Sequence, residues 1–324
     1  MRHYLVTGGA GFIGSALSKK LLKKGNKITI FDNFQRGMLS RIESIKEQVN
    51  IVNGDIRNLT DVLKAMQSVD TVYHLAAVNG TENFYHHSKL VLDVGIKGIL
   101  NIMEAAEKYN TNHIIAASSA EVYQTPSVIP TNEKEILKIP SSLEPRYSYA
   151  CSKITTEVIT INYGKNLNKV QIFRPHNIYG PNMGWKHVIP NLIEKTLVAK
   201  KYGHHKIEIY GTGQQTRSFC FIDDLLNGLE KMEEKGSHLE IFHIGSQQEI
   251  TINELAKKIA SIVGINVELI PTKPPKGETD KRCPDISKIS GLNYYPLIDI
   301  DEGLARTVPW YIQNTKNDLS NKLL

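Results

Sequence analysis

Tyrosine, lysine and serine side chains with a spacing suited to acid–base chemistry lie near the middle of the chain. Tyr149 and Lys153 are four positions apart in a predicted helix over 147–165, so their side chains share one helical face. A phenol with the ordinary pKa of about 10 is a poor base at neutral pH, but a lysine ammonium one turn away favours the phenolate. Ser119 follows a predicted strand over 113–117 and can bridge a substrate hydroxyl and the tyrosine oxygen. These residues predict a site that removes a proton from a hydroxyl group.

A glycine-rich segment near the start of the chain has the pattern of a phosphate-binding loop. It lies between a predicted strand over 4–7 and a predicted helix over 12–24. Gly8 allows a tight turn, Gly11 lets a pyrophosphate approach the backbone, and Gly14 allows close contact between helix and sheet. The first N–H groups of the helix and its dipole favour phosphate groups. This pattern predicts a dinucleotide site whose loop residues are Gly8, Gly11, Phe12, Ile13 and Gly14.

Acidic residues at the ends of the next two predicted strands indicate which dinucleotide is bound. Asp32 follows the loop by roughly twenty residues, where a carboxylate binds the hydroxyls of the adenosine ribose. A carboxylate there repels a 2′-phosphate, so NAD is favoured over NADP. Asp55, after the third strand, is predicted to reach the adenine. The positive nicotinamide ring of NAD would further stabilise a Tyr149 phenolate.

Short β-branched segments alternate with helical segments through the first half of the chain. Predicted strands lie over 4–7, 27–31, 49–52, 71–75, 113–117 and 170–173, and predicted helices over 12–24, 59–66, 91–109 and 147–165. This alternation implies right-handed βαβ crossovers and a sheet covered on both faces. We therefore predict an α/β fold with a Rossmann-type doubly wound parallel sheet over residues 1–174. Residues 175–324 are predicted to form mainly a smaller C-terminal substrate-binding lobe, with elements near 221–245 returning to the sheet.

The composition is that of a globular protein. Of 324 residues, 41% are hydrophobic and 22% are charged, which disfavours a disordered chain. The net charge is +6, but the lysines are spread over many predicted helices, so nucleic acid is not expected as a partner. The chain has 3 cysteines, far apart in sequence, which is typical of a reducing compartment. The glycine loop begins so early that we expect no signal peptide, and no apolar segment approaches the roughly 20 residues of a membrane span. We therefore expect a cytoplasmic protein.

Together with the glycine loop and Tyr149–Lys153, further motifs establish a resemblance to a known family. The chain resembles the extended short-chain dehydrogenases/reductases of the NAD-dependent nucleotide-sugar epimerase/dehydratase family over nearly its whole length. The matching segments are TGGAGFIG at 7–14, HLAA at 74–77, SSAEVY at 118–123, YACSK at 149–153, RPHNIYGP at 174–181, RSF at 217–219 and RCPD at 282–285.

The resemblance implies a site for NAD in the first domain and a site for a nucleoside-diphosphate sugar in the smaller lobe. It implies Ser119, Tyr149 and Lys153 as catalytic residues. Asn177, Arg217 and Arg282 match residues near the sugar nucleotide, and guanidinium groups suit phosphate oxygens. The cofactor residues implied are Gly8, Gly11, Phe12, Ile13, Gly14, Asp32, Asn33, Asp55, Ile56, Leu75, Ala76, Ala77, Tyr149 and Lys153.

The chain departs from the family pattern at one position of a predicted helix. Gly95 stands where relatives have an asparagine three residues ahead of a glycine, here Gly98. In the family that asparagine is thought to organise the helix and a catalytic water. The departure affects the details of a proton relay and leaves the fold unchanged. Asn101, later on the same helix, matches the pattern.

Residues 120 and 121 bear on the reaction. The shared first step in the family is oxidation of the sugar C4 hydroxyl. Dehydratases follow the serine or threonine with an Asp-Glu pair, whereas this chain has Ala120 and Glu121, and alanine cannot donate a proton. Decarboxylases of the UDP-glucuronate type keep a glutamate there and an arginine like Arg282. We predict an epimerase, most simply at C4, with Glu121 as a further catalytic residue beside Ser119, Tyr149 and Lys153. A decarboxylase is the first alternative and an atypical dehydratase the second.

Other interpretations of the sequence are less favoured. A non-catalytic relative that senses NAD or binds a partner is disfavoured by intact Ser119, Tyr149 and Lys153. The histidine pairs at 86–87 and 204–205 lack the spacing of three or four that one helical face needs to bind a metal, so no metal is expected. By resemblance, the helices over 91–109 and 147–165 are expected to form a homodimer interface.

Overall fold

The helices and strands are described for residues 1–273 and 279–315 of the computed structural model, so residues 274–278 and 316–324 of the predicted lobe lie outside the described residues. The strands are β1 (His3–Thr7), β2 (Lys27–Asp32), β3 (Asn50–Asn53), β4 (Thr71–His74), β5 (His113–Ala117), β6 (Lys169–Pro175), β7 (Ile178–Tyr179), β8 (Lys206–Tyr210), β9 (Thr216–Ser218), β10 (Cys220–Phe221), β11 (Glu240–Ile244), β12 (Glu249–Thr251), β13 (Glu268–Thr272) and β14 (Lys281–Arg282). The α-helices are α1 (Phe12–Lys23), α2 (Leu39–Ile42), α3 (Leu59–Ala65), α4 (Thr81–His86), α5 (Ser88–Tyr109), α6 (Ser148–Gly164), α7 (Val188–Tyr202), α8 (Ile222–Lys235), α9 (Ile252–Val263), α10 (Ser287–Ser290) and α11 (Ile300–Asn314). Short 3₁₀ helices lie over Glu43–Gln48, Ala120–Tyr123 and Pro145–Tyr147.

A parallel sheet forms the centre of the molecule. Within the described residues it has 7 strands in the order β3-β2-β1-β4-β5-β6-β11. Every neighbouring pair in it is parallel. The strand order reverses between β1 and β4, and in such sheets ligands bind beyond the carboxyl ends of the strands at this point. The predicted α/β fold with a doubly wound parallel sheet is confirmed.

Both faces of the sheet are buried. Successive side chains of a strand point to opposite faces, and in β1 Leu5 packs into one hydrophobic core while Tyr4 and Val6 pack into the other. The core containing Leu5 lies under α3 and α5. The core containing Val6 includes α1 and α8 and continues into α7, α9 and α11. This double coverage explains why the strands of the first half are almost continuously apolar.

The C-terminal part of the chain adds small sheets and three longer helices. β7 pairs with β10, β8 with β13, and β9 with both β12 and β14. α9 begins with a capping box, in which the Thr251 side chain accepts a hydrogen bond from the Glu254 N–H and the Glu254 carboxylate accepts one from the Thr251 N–H. α9 packs against α7 and α11. These elements lie beside the carboxyl ends of the central strands, where β6 leads through β7 into the lobe.

The protein is expected to lose stability in acid because two of its buried histidines are neutral in the folded state. Burial lowers the pKa of His113 and of His243 from 6.5 to about 4. Between pH 6.5 and 4 the unfolded chain therefore binds protons that the folded chain does not, so the free energy of unfolding falls as the pH falls through this window. Below about pH 4 the two residues are protonated in both states and their contribution no longer changes.

His113→Asn removes one of these groups and is expected to reduce the slope by up to ~1.4 kcal/mol per pH unit between pH 6.5 and 4. Urea unfolding at a series of pH values measures the slope. His205→Asn, at an exposed position, is the control. An unchanged slope in His113→Asn would show that His113 takes up its proton equally well in the folded protein.

Candidate active site

The turn between β1 and α1 has the geometry that a dinucleotide requires. Gly8 has φ +67 and its N–H donates a 2.8 Å hydrogen bond to the Phe31 carbonyl. A Cβ on Gly14 would lie 2.3 Å from the Gly8 oxygen, so only glycine lets α1 start this close to the turn. A Cβ on Gly11 would meet only the Gly8 oxygen within 4 Å, so Gly11 leaves open space beside the loop. These residues fit a pyrophosphate at the start of α1, with Phe12 and Ile13 in the first helical turn.

Asp32 lies beside this loop at the end of β2. Its side chain is only 8% exposed, and its carboxylate accepts hydrogen bonds from the backbone N–H groups of Ala10 (3.0 Å) and Phe34 (2.9 Å). Asn33 follows it and accepts a hydrogen bond from the Gln35 N–H. A carboxylate fixed in this way keeps free lone pairs for the two hydroxyls of a ribose. The position fits the predicted selection of NAD.

Asp55 is also fixed, but by a cation. Arg57 binds both carboxylate oxygens, with its Nε 2.9 Å from Oδ1 and its Nη2 2.5 Å from Oδ2. These hydrogen bonds hold the pKa of Asp55 below its usual range. Ile56 is buried, and its carbonyl accepts a hydrogen bond from Asn101 of α5. An ionised Asp55 can accept a hydrogen bond from an adenine amino group. The contact between Asp55 and the adenine stays a prediction.

The end of β4 meets the glycine loop. The backbone N–H groups of Leu75 and Ala76 each donate a 3.1 Å hydrogen bond to the Thr7 hydroxyl. A Cβ on Gly8 would lie 3.0 Å from the Ala76 nitrogen. The segment that begins at Leu75 therefore lies directly beside the glycine loop, next to other predicted cofactor residues.

Tyr149, Ser119 and Lys153 come together at the carboxyl end of β5. The Ser119 hydroxyl lies beside the Tyr149 phenol, and its hydrogen-bonding effect lowers the pKa of that phenol. The Lys153 ammonium donates a 2.8 Å hydrogen bond to the Ala117 carbonyl and lies 5.8 Å from the centre of the Tyr149 ring. Burial raises the pKa of Tyr149 to about 12 and lowers that of Lys153 to about 8. These residues alone therefore leave the phenol protonated at neutral pH, and a further positive charge is needed to make it a base.

A buried ion pair that the sequence analysis missed lies one turn beyond Lys153. Glu157 accepts hydrogen bonds from the Arg174 guanidinium, at 2.7 Å to Nε and 2.6 Å to Nη2, and from the Ser118 hydroxyl. The side chains of Arg174 and Glu157 are only 3% and 4% exposed. The negative charge of Glu157 raises the pKa of Lys153 against the effect of burial. The signal in the sequence is a glutamate at the fourth position after Lys153.

Glu121 is surrounded by cations. It lies in the 3₁₀ helix that begins after Ser119, and its backbone N–H donates to the Ser119 hydroxyl. Its carboxylate forms an ion pair with Arg282, 161 positions away in sequence. Burial opposes ionisation of Glu121, but Arg282, helped by Arg146 and Arg217, outweighs burial and lowers the pKa of the carboxyl group. Glu121 is therefore an ionised hydrogen-bond acceptor.

The predicted substrate residues share one side of this cluster. Arg217 of β9 and Arg282 of β14 are register partners in the same small sheet. Asn177 has φ +42, and its side-chain amide donates a 2.9 Å hydrogen bond to the Ser218 carbonyl. The Arg282 Nε donates to the Thr279 hydroxyl at 2.9 Å. The fold thus brings Glu121, Arg217 and Arg282 together, and Asn177 is tied to the strand that carries Arg217.

The packing of α5 on α6 explains the glycine at position 95. A Cβ on Gly95 would lie 2.7 Å from the Cβ of Ser152 and 2.9 Å from its hydroxyl oxygen. Ser152 is buried, and its hydroxyl donates to the Tyr149 carbonyl. An asparagine at position 95 would force the two helices apart. The departure from the family pattern therefore permits a close approach of α5 to the catalytic helix.

Two kinds of feature are absent from the part of the chain that the structure describes. Residues 1–273 and 279–315 contain no group of three or more His, Cys, Asp or Glu side chains that could hold a metal ion. Among the same residues, no helix has the length and apolar character needed to cross a bilayer.

Known proteins are similar to this chain in sequence and in fold. The sequence profile of the NAD dependent epimerase/dehydratase family matches residues 4–245. A UDP-N-acetyl-alpha-D-glucosaminuronate decarboxylase from Bacillus cytotoxicus is 32% identical over 325 residues, which cover 97% of this chain and 98% of the relative. A putative UDP-glucose 4-epimerase from Methanocaldococcus jannaschii is 32% identical over 318 residues, covering 96% and 99%. The crystal structure of a dTDP-glucose 4,6-dehydratase from Streptomyces venezuelae, with NAD bound, is similar at a TM-score of 0.88 and 26% identity, covering 97% and 98%.

Proposed function

The chain belongs to the NAD-dependent epimerase/dehydratase family and its cofactor is therefore NAD, and on this premise we propose that it is a decarboxylase of a nucleoside-diphosphate uronic acid. The observation that carries the proposal is the ion pair between Glu121 and Arg282, set directly beyond Ser119 and Tyr149. This ion pair favours the decarboxylase, which was the first alternative in the sequence analysis, over the 4-epimerase that the sequence predicted.

The ion pair matters because of where it lies relative to the proposed base. Tyr149 and Ser119 act on the C4 hydroxyl, so groups one step further along the 3₁₀ helix face C5 and C6 of the same sugar. Arg282 offers a guanidinium fork, which binds carboxylates well. Arg217 and Arg282 also suit the diphosphate of the sugar nucleotide, so the arginines alone do not separate the candidates. The guanidinium of Arg282 beside Glu121, facing C5 and C6, fits a C6 carboxylate better than a neutral C6 hydroxymethyl group, and the Bacillus cytotoxicus relative is named for a uronate substrate.

The residues of the chain support oxidation at C4 as follows. Tyr149 accepts the proton of the C4 hydroxyl while Ser119 hydrogen-bonds to both oxygens. Lys153, held by the Ala117 carbonyl, stabilises the phenolate by its charge. NAD, held at the glycine loop and Asp32, would supply the acceptor for the C4 hydride and a positive charge that favours the phenolate of Tyr149. The product of this step is a 4-keto uronate.

A 4-keto uronate is a β-keto acid, which explains how carbon dioxide leaves. The bond between C5 and C6 breaks, and its electron pair moves to C5 and the C4 oxygen, giving an enolate. Ser119 and the newly protonated Tyr149 donate hydrogen bonds to that oxygen. C5 then takes a proton from water, and a proton from solvent neutralises the hydroxide that remains, so loss of carbon dioxide from the carboxylate consumes one solvent proton and gives a 4-keto pentose. Because the pKa of Glu121 is lowered, Glu121 orients this water as an acceptor and is not itself the acid.

The second candidate is the nucleotide-sugar 4-epimerase predicted from the sequence. Ala120 favours it, because the residue before Glu121 offers no acid, and this also disfavours a dehydratase. The Methanocaldococcus jannaschii relative supports it as well. In an epimerase the 4-keto sugar would turn over in the site and receive the hydride on its other face. The homodimer and the cytoplasmic location stay predictions.

Products distinguish the candidates. We expect the enzyme with NAD to release carbon dioxide from UDP-glucuronate or UDP-N-acetylglucosaminuronate, within a panel of UDP-, dTDP-, GDP- and CDP-sugars followed by NMR. Glu121→Gln keeps the shape of the side chain and is expected to lower the rate of carbon dioxide release about 10²-fold, while C4 oxidation still yields NADH absorbance. Glu234→Gln, at an exposed position of α8, is the control. No carbon dioxide from any uronate, with a changed ring coupling at C4 of a hexose, would establish the epimerase instead.

A further inference from the structure

A phenylalanine outside all of the sequence motifs lies directly against the proposed base. Phe84 of α4 is 6% exposed, and its ring stacks on the ring of Tyr149 with centroids 4.9 Å apart and an interplanar angle of 17°. Stacked aromatic pairs of this kind contribute about 0.5–1.5 kcal/mol beyond the area they bury. Phe84 is therefore a direct neighbour of the atoms that must move a proton.

The backbone places Phe84 there by a short, well-bonded turn. Gly80 has φ +111, a conformation that favours glycine, and it directs the chain from the end of β4 into α4. The N–H groups of Asn83 and Phe84 donate to the Gly80 carbonyl, at 2.9 and 3.2 Å. The Asn83 side chain donates to the Asn79 carbonyl at 2.9 Å. α4 packs against α5 and the 3₁₀ helix before α6, and these contacts hold the segment that carries Phe84.

We propose that Phe84 is a positioning residue for Tyr149, holding the phenol in one rotamer and excluding water from one face of its ring. The proposal rests on the proposed role of Tyr149 and adds to it a part that lies 65 positions earlier in the chain. A fixed phenol stays aligned with the substrate hydroxyl, and small errors in such alignment lower rates steeply. The flat apolar face also keeps water from solvating the phenolate.

The electrostatic surroundings of Tyr149 agree with this role. Desolvation is the largest cause of its raised pKa, ahead of the Ser119 hydrogen bond, which lowers it. Phe84 is one of the groups that produce this desolvation, and the negative face of its ring disfavours a phenolate stacked on it. Glu121 raises the pKa of Tyr149 and Arg36 lowers it. Other charged or titratable groups lie on the elements packed around Tyr149: Glu82, Tyr85 and His86 on α4, Lys89, Asp93 and Lys97 on α5, Arg146 and Tyr147 on the 3₁₀ helix before α6, and Cys151, Lys153 and Glu157 on α6.

Phe84→Leu removes the stacked ring and keeps an apolar side chain. In the enzyme with NAD, we expect kcat to fall about 10-fold while KM changes by less than about 2-fold, because alignment is lost and binding is not. As water reaches the phenol, the pKa of Tyr149 should fall by about one unit. That pKa is read from tyrosinate ultraviolet absorbance, as the difference between titrations with and without Tyr149→Phe. The acid limb of the kcat profile should move to lower pH in parallel.

Two further variants separate positioning from general stability. Phe84→Tyr keeps the ring, so kcat and the pKa of Tyr149 should stay at their wild-type values. Phe242→Leu, at a 1% exposed position of β11, removes a comparable ring from the core and should lower the melting temperature without changing either quantity. If Phe84→Leu leaves the pKa of Tyr149 and kcat unchanged, or if Phe242→Leu changes them equally, the proposal is overturned. The titration needs no turnover, so it tests Phe84 even if the proposed substrate is wrong, whereas an active Tyr149→Phe enzyme would contradict only the role of Tyr149.

Discussion

Replacing Tyr149 with phenylalanine is expected to lower kcat about 10³-fold while NAD binding is retained. The substitution removes the only atom of this side chain that accepts the C4 proton, and positioned acid–base groups contribute about 10²- to 10⁴-fold. The ring and its stack on Phe84 remain, so the site keeps its shape. NAD affinity is measured by quenching of tryptophan fluorescence, and turnover by NMR of the sugar nucleotide.

Tyr163→Phe is the matched control, because Tyr163 lies on the same helix but is 60% exposed. It should leave kcat within about 2-fold of the wild-type value, as expected for a surface substitution. A Tyr149→Phe enzyme with full activity on its substrate would refute Tyr149 as the base, whichever sugar is turned over.

Arg174→Met is expected to lower the free energy of unfolding by about 3–5 kcal/mol, because it leaves the buried Glu157 carboxylate without its cation. Both side chains are almost fully buried, and the guanidinium also donates to the Tyr123 hydroxyl and, at 3.0 Å, to the Glu133 carbonyl. Without Arg174 the Glu157 carboxylate is no longer held in place. Because Glu157 stabilises the charged form of Lys153, its displacement should also weaken catalysis in the folded variant. Urea unfolding at pH 7 measures the stability.

Arg306→Met is the control for losing an arginine on the surface. Arg306 pairs with Asp223 and Glu302, and all three side chains are about half exposed, so the expected change is below about 1 kcal/mol. The double variant Arg174→Met/Glu157→Met removes both charges and should recover much of the lost stability, because apolar replacement of a buried ion pair is often neutral. Equal losses in Arg174→Met and Arg306→Met would show that the Glu157 site is open to water.

Decarboxylase and epimerase differ at the Glu121 cluster and share the rest of the site. In both proposed reactions the glycine loop, Asp32, Tyr149 and Lys153 would serve the oxidation at C4. The reactions separate only at C5 and C6, where this chain combines Ala120, which disfavours dehydration, with the Glu121–Arg282 pair. A test of the reaction type therefore belongs at Glu121, and a test of the shared step belongs at Tyr149.

Features predicted correctly from the sequence depend on short spacings along the chain. The parallel sheet follows from alternating strand and helix periods, and the observed α6 differs from the prediction by one residue at each end. The glycine positions follow from one turn between one strand and one helix, where sterics alone exclude a side chain. Tyr149 and Lys153 follow from one helical turn. Local geometry decides these features, so neighbouring residues are enough to predict them.

The tertiary structure decided the contacts between residues that are far apart in sequence. Glu121 meets Arg282 because β14 pairs beside β9 next to the end of β5, and no local pattern contains that register. Glu157 meets Arg174 because α6 packs on the sheet next to β6. Gly95 is required by the distance between two helices, and Phe84 reaches Tyr149 through the turn at Gly80. The sequence by itself thus determined the fold, the cofactor and the placing of Tyr149 and Lys153 on one helical face, since these depend on local spacing, whereas the catalytic roles of the two residues stay predictions. The partners of Glu121, Glu157 and Tyr149 were decided only when packing brought distant side chains within contact.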